Sequence, residues 1–363
     1  MAKADGTPNF DALASQDGTL ATLASDLDYC SNSGEWVGDA LPSLTLENQL
    51  AICAFTVKKE EGNTDITGSI TSLTVKESEN TYTITRTAAA GPIYVAMKPV
   101  NNGDIEFVTA EGTDVYTRLV NNKTLQAGHL YPLGVKVKFN SRLTPLTFEA
   151  KAVNSTVTFS HGAGNMEYSI DGTTWTNCPS ETSITLANIG DKVVFRGNNT
   201  SLGTSKNFTG TGQCYLYGNV MSLLFAETFP TETALPANSN STFESLFMNN
   251  VTIYSHSYKT LSLPAETLVQ SCYANMFMNC SNLTTAPDLP AVTPALYCYN
   301  NMFTYCTSLN RIRCYLDPNG SYQYTPNWLW GVSSSGTFIK KTGTTWISGA
   351  QYGIPDGWTV IEE

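Results

Sequence analysis

The nine residues CYANMFMNC at 272–280 return as CYNNMFTYC at 298–306, 26 positions later. They sit inside longer aligned blocks, LPAETLVQSCYANMFMNCSNL (263–283) and LPAVTPALYCYNNMFTYCTSL (289–309). A worn earlier copy, TFESLFMNNVTI, occupies 242–253, with Phe247 in the place of Phe277 and Asn250 in that of Cys280. Self-similarity at a period of about 20–50 residues is the mark of stacked units that bury their apolar faces only against one another. The expected repeat core is Cys272, Met276, Phe277, Cys280 and Leu283, matched by Cys298, Met302, Phe303, Cys306 and Leu309.

Within each copy, Leu268, Cys272, Tyr273, Met276, Phe277 and Cys280 fall at i, i+4, i+5, i+8, i+9 and i+12, which predicts one face of a helix. Thr267 and Thr293 are candidate N-caps, and Pro294 suits a first helical position. The prolines of NLTTAPDLP (282–290) bar a long helix there and predict a short extended piece. Each repeat is thus expected to be a helix followed by a short strand. Packed helices lie about 8–10 Å apart, and a disulfide needs Cα atoms within about 7 Å. Cys272 and Cys298 are therefore expected as small buried thiols. For Cys280 and Cys306, near the expected corner, a bond is less firmly excluded. The chain has nine cysteines, so not all can pair internally.

The rest of the chain predicts strands. LGVKVKF (133–139), SLTVKE (72–77), YTIT (82–85) and IYVAM (93–97) alternate apolar and polar residues, with EEGNTD (60–65) and NNGD (101–104) as turns between strands. TVTFS (156–160), MEYSIDGTTW (166–175) and DKVVFRGNN (191–199) carry the same pattern, with a hairpin signal at Asp171-Gly172. QCYLYGNVMSLL (213–224) ends this second unit, and FPTETALPANSNS (229–241) reads as a connector. The fold class is mainly β: a sandwich over 1–150, a small β-domain over 151–230, a short α/β repeat solenoid over 231–316 and a C-terminal cap over 317–363.

Charged residues make up 14% of the chain, against about 25% in an average domain. Thr, Ser, Asn and Gly fill the difference, a composition that suits β-rich extracellular proteins. The net charge of −11 and the lack of a basic stripe argue against nucleic acid and anionic membranes as partners. No stretch is long and apolar enough to span a membrane. No export signal is visible, and MAKADGTPNF reads as a trimmed N-terminus behind an added Met.

The pattern CYxxMFxxCxxL followed by APxLPA, over 242–316, resembles the BspA-like leucine-rich repeats of Bacteroides-type surface proteins. GTFIKKTGTTWISGAQYGIPDGWTV (336–360) resembles the segment that closes such arrays, and 168–224 is similar to a small β-domain that precedes them. ADGTPNF (4–10), DGTLATLASDLDY (17–29), NQLAICAF (48–55), IYVAMKPV (93–100) and LQAGHLYPLGVKV (125–137), in that order, resemble fimbrillin-like domains. The resemblance implies a cell-surface, outer-membrane or fimbrial location, with a β-sandwich used in fimbriae or adhesins.

No catalytic constellation stands out. His129, His161 and His256 are scattered, and the eight-residue gap from Cys272 to Cys280 departs from the short spacings of zinc sites. No metal or cofactor is predicted. Aromatic residues crowd the C-terminus: Trp328, Trp330, Tyr322 and Tyr324 read as possible ligand anchors or as cover for the end of the stack, and GIPDGW favours cover. The expected function is a non-catalytic adhesin that binds host or neighbouring-cell protein or glycan through its repeats. The alternatives are a pilus subunit joined to other fimbrial subunits by strand addition, and an outer-membrane glycan-binding protein.

Overall fold

The computed structural model describes residues 11–27, 30–31, 47–236 and 239–363. ADGTPNF at 4–10, the last two residues of DGTLATLASDLDY and two residues of the 229–241 connector lie outside them. The fold is mainly β, and the chain forms two compact units, Met1–Asn140 and Ser141–Glu363.

In the first unit the alternating stretches are strands, and their apolar positions form the core around Phe55, Val75, Ile84, Val95, Phe107 and Tyr116. The strand pattern predicts a sandwich; the hydrogen-bonded path instead runs without a break through eight strands. Its order is Ser15–Gln16, Asn80–Thr85, Ser72–Glu77, Val100–Glu111, Asp114–Leu125, Leu130–Phe139, Ala51–Lys59 and Ile93–Met97. The two ends nearly meet. The buried Gln16 donates to the Ala96 carbonyl at 2.8 Å and accepts from the Ala96 N–H at 2.9 Å, and Tyr94 N–H reaches Gly18 O at 2.9 Å. One side chain thus does the work of a missing pair of ladder bonds, which makes the sheet barrel-like. NNGD does not separate strands. It lies inside Val100–Glu111, where the register shifts, Asn102 takes a positive φ of 52°, and a Cβ on Gly103 would lie 2.7 Å from Val100 Cγ1. A bulge absorbs the turn-forming residues without ending the strand.

The second unit begins earlier than the strand pattern suggests. Leu146–Ala150, expected to close the first module, is an inner strand here, antiparallel to both Lys192–Gly197 and Cys214–Asn219. Phe148 drives this choice: it is buried against Phe195, Phe208 and Phe247. The Asp171-Gly172 signal gives the hairpin of Met166–Ser169 and Thr176–Asn177, with Asp171 Oδ1 accepting from Thr173 N–H and Thr174 N–H. Cys214–Asn219 then changes partner type. Its other edge pairs in parallel with Ile253–Tyr254 and Leu261–Ser262, so the antiparallel sheet hands over directly to the stack. One continuous core runs from Leu146 to Trp358.

The repeats are not helical. No α-helix is found in 242–316, and the expected helical runs are successions of turns. Cys272, Ala274, Met276, Met278 and Cys280 each donate N–H to the carbonyl three residues earlier, at 3.0–3.2 Å. The intervening Ser271, Tyr273, Asn275, Phe277 and Asn279 donate instead to Leu296, Cys298, Asn300, Met302 and Thr304 of the next coil, at 2.8–3.1 Å. Every fourth residue closes a turn at positive φ: Ser271, Asn275 and Asn279, then Tyr297, Asn301 and Tyr305. Asn tolerates that region best among residues with a side chain. A helix commits every N–H within itself; here half of them join neighbouring coils. Thr267 and Thr293 are not caps either, since they bridge in parallel from one coil to the next.

No break falls at 316. Tyr299, Asn301, Phe303 and Tyr305 donate to Tyr324, Pro326, Trp328 and Trp330, so the segment expected as a cap begins with a further coil. Arg311–Cys314, Thr337–Lys340 and Thr359–Glu362 form a parallel sheet along its flank.

Candidate recognition surface

The stack has an inner and an outer side, and the four-residue turn period sorts residues between them. All ten residues of the repeat core are buried. Phe208, Phe247, Phe277 and Phe303 stack ring on ring at 5.2–5.6 Å. A second column runs Phe243, Tyr273, Tyr299, Trp328 and Trp346, at 5.1–6.1 Å.

The cysteines form a third device. Cys280 donates its thiol to Phe247 O and Cys306 to Phe277 O, both at 3.0 Å, and Asn250 Nδ2 does the same to Phe208 O at 2.7 Å. Each ties its coil to the one before. The helix-spacing argument about Cys272 and Cys298 does not carry over, because coils joined by main-chain bonds lie about 4.8 Å apart. The eight cysteines whose side chains are described are nonetheless free and buried thiols. Burial pushes Cys298, Cys306 and Cys314 up to about 12, and holds Cys272 and Cys280 well above the ordinary thiol value. Such thiols resist ionisation and are poor nucleophiles or metal ligands. Among the described residues, no group of three or more His, Cys, Asp or Glu side chains is placed to hold a metal.

The histidines do not converge. His129 Nδ1 lies 2.9 Å from Ala127 O in the first unit, and His161 Nε2 lies 2.9 Å from Cys178 O. His256 packs edge-on to Tyr215 and Tyr258 while its Nδ1 accepts from Tyr258 N–H and Lys259 N–H. Beside it, buried Lys259 lies 2.6 Å from Glu149 Oε2, which also accepts from Tyr217 Oη at 2.7 Å. Burial raises the Glu149 carboxyl, but these bonds and the charges of Lys259 and Lys192 outweigh it and leave the group below the usual carboxylate value. This pair fastens the 255–260 loop to the sheet. A cleft of about 250 Å³ opens next to it, floored by Leu216, Phe277 and Leu283 and edged by Arg311.

The four aromatic residues singled out at the C-terminus part company. Trp328 is not available to a ligand: it is 0% exposed, lies between Tyr299 and Trp346, and donates Nε1–H to Gly353 O at 2.9 Å. It takes the place of Met276 and Met302 one period on, while the small Thr325 stands below it where Tyr273 and Tyr299 stood. Trp330 and Tyr322 are exposed, and Tyr324 is half-buried against the core. Tyr297 and Tyr305, which the sequence does not mark out, are also exposed, both at positive φ. Tyr305 lies so close to Gly331 that a Cβ there would meet its ring at 2.6 Å. Tyr297, Tyr305 and Trp330 thus occupy the outer side of two adjacent coils.

No family model, curated protein or solved structure matches the chain. Among the described residues, no helix is long and apolar enough to cross a membrane.

Proposed function

We propose that the chain is a non-catalytic recognition protein of a bacterial surface or fimbria, binding protein or glycan on a host or neighbouring cell through its coil stack. The observation that carries this reading is the outer rail of Tyr297, Tyr305 and Trp330 on coils locked together by main-chain bonds. Large aromatic rings on a rigid base are the usual anchors of recognition, because little side-chain freedom is lost when they are covered. The resemblance of 242–316 to BspA-like repeats and of the first 150 residues to fimbrillin-like domains supports the location. The test is adhesion of the full chain to epithelial and bacterial cells, with Tyr297→Ala, Tyr305→Ala and Trp330→Ala combined. Binding should fall while the melting temperature holds; adhesion that survives the triple change and is lost only on altering residues 1–140 rejects the assignment.

A second reading has its own support. Among the described residues, the end strands of the first sheet meet through the two-residue strand Ser15–Gln16, the Gln16 side-chain bonds and the single main-chain bond from Tyr94 to Gly18, which leaves a place where a strand from another subunit could add. A subunit polymerised in this way gives a ladder when sheared cell material is run unboiled in SDS. A single band rejects polymerisation.

A further inference from the structure

Two clefts flank Pro355–Asp356 at the C-terminal end of the stack. One, of about 420 Å³, is lined by Trp330, Gly331, Ser333, Ser334, Gln351 and Asp356. The other, of about 320 Å³, is lined by Trp346, Ser348, Trp358 and Lys340 and shares Pro355 and Asp356. Three features of this end are not needed by the fold. Trp330 is 49% exposed, the one exposed tryptophan among the described residues. The Asp356 carboxylate is exposed, with no hydrogen bond or ion pair among the described residues. Trp346 Nε1 is buried and finds no acceptor. A buried donor without a partner costs about 1–3 kcal/mol, and a ligand oxygen would remove that cost.

We propose that this end of the stack binds a neutral hexopyranose, the terminal unit of a glycan. The ligand class follows from the groups present. The C–H face of a pyranose is apolar and flat enough to lie on an indole, which Trp330 offers. Sugar hydroxyls donate to a carboxylate and accept from an N–H: Asp356 borders both clefts, with Gln351 and Ser334 beside it in the cleft of Trp330, and Trp346 supplies an N–H on the side of the second cleft. An acidic sugar does not fit. Asp356 repels it, and the nearby cation, Lys340, is held by Glu362 at 2.8 Å and Thr344 O at 2.7 Å. A single ring suits clefts of this size. The proposal rests on the recognition reading above and names the ligand class and the place.

The test is titration of the full chain, by calorimetry and saturation-transfer NMR, with the methyl glycosides of glucose, galactose, mannose and N-acetylglucosamine, and with N-acetylneuraminic acid as the anionic control. At least one neutral glycoside should saturate, with a Kd on the order of 1 mM, a common range for few-atom contacts on an open surface. Trp330→Ala and Asp356→Asn should each weaken it by about tenfold with the melting temperature unchanged. Trp346→Phe, which keeps the ring and removes the N–H, should weaken it less. If no glycoside binds while the chain still adheres to cells, the sugar site is wrong and the recognition reading stands. If a glycoside binds equally well to all three variants, or if only the acid binds, the site is overturned. Loss of both sugar binding and cell adhesion in the unaltered chain overturns the two together.

Discussion

Cys306 hands its thiol hydrogen to the main-chain oxygen of Phe277, 3.0 Å away on the preceding coil. The same position one coil earlier carries Cys280, bound to Phe247, and one earlier still Asn250, bound to Phe208. A single geometric task, satisfying a buried carbonyl that faces the next layer, is met by two chemistries. Cys306→Ala removes the donor and opens a small void, and should destabilise the second unit by about 1–3 kcal/mol. Cys306→Ser, which keeps a donor, should lose less. Denaturant unfolding of the two variants against the unaltered chain measures the difference.

The stacked thiols also make the second unit sensitive to alkali. Burial raises the folded-state values of Cys178 and Cys214 to about 11 and of Cys298, Cys306 and Cys314 to about 12, above the ordinary 9.0. The unfolded chain therefore releases these protons at lower pH than the folded one. The stability they lend is fully present below pH 9 and is lost as pH rises toward 11–12. Each such thiol contributes a slope of about 1.4 kcal/mol per pH unit over that window. Thermal melts between pH 8 and about 11 should show a steep fall in the second unit's transition. A flat profile rejects the burial of the thiols.

Asn301 separates the turn ladder from the helix that the sequence pattern predicts. At its φ of 51°, Asn301→Ala and especially Asn301→Val introduce strain of about 1–2 kcal/mol, whereas Asn301→Gly is nearly neutral. On a helix the order reverses, with Ala the best of the three. Melting temperatures ranked Gly, then Ala, then Val establish the turn conformation by chemistry alone.

In the first unit, Gln16 closes the sheet with its side chain. Gln16→Ala leaves the buried N–H and C=O of Ala96 without those partners, and should cost about 2–4 kcal/mol. Hydrogen exchange at the Ala96 amide should quicken relative to its neighbours in Ile93–Met97. An unchanged amide would show that the sheet ends do not meet there.

The strands were legible in the chain because period-two burial leaves a direct trace, as in Ser72–Glu77 and Ser155–Ser160. The coils imitate a helix in sequence for a definite reason. Leu268, Cys272, Met276 and Cys280 keep a strict period of four. On a helix of 3.6 residues per turn that spacing drifts by about 120° over twelve residues. Asn275 and Asn279 at the same spacing, with Asn301 one repeat after Asn275, are the second trace, since Asn is a weak helix former and a good closer of turns. The destination of the alternate N–H groups leaves no mark on any single copy. Trp328 was readable by adding 26 to Met302, which puts it in the buried column; the exposure of Trp330 was not, because the same step starts from the buried Thr304. Tyr305 was hidden because positive φ at an aromatic residue is rare enough that no sequence rule anticipates it.

Splitting the N–H groups evenly between a coil and its neighbour has a consequence for growth. Every coil presents to the one that follows it the N–H donors that the following coil's carbonyls require, so a duplicated stretch of 26 residues meets the same acceptors, ring faces and thiol contact wherever it is spliced into 272–306. Each added copy would lengthen the outer rail by about 4.8 Å and leave both ends as they are. Reach, in such an architecture, is a matter of copy number, and two tyrosines and a tryptophan on two coils are the short form of a surface that gene duplication can extend without redesign.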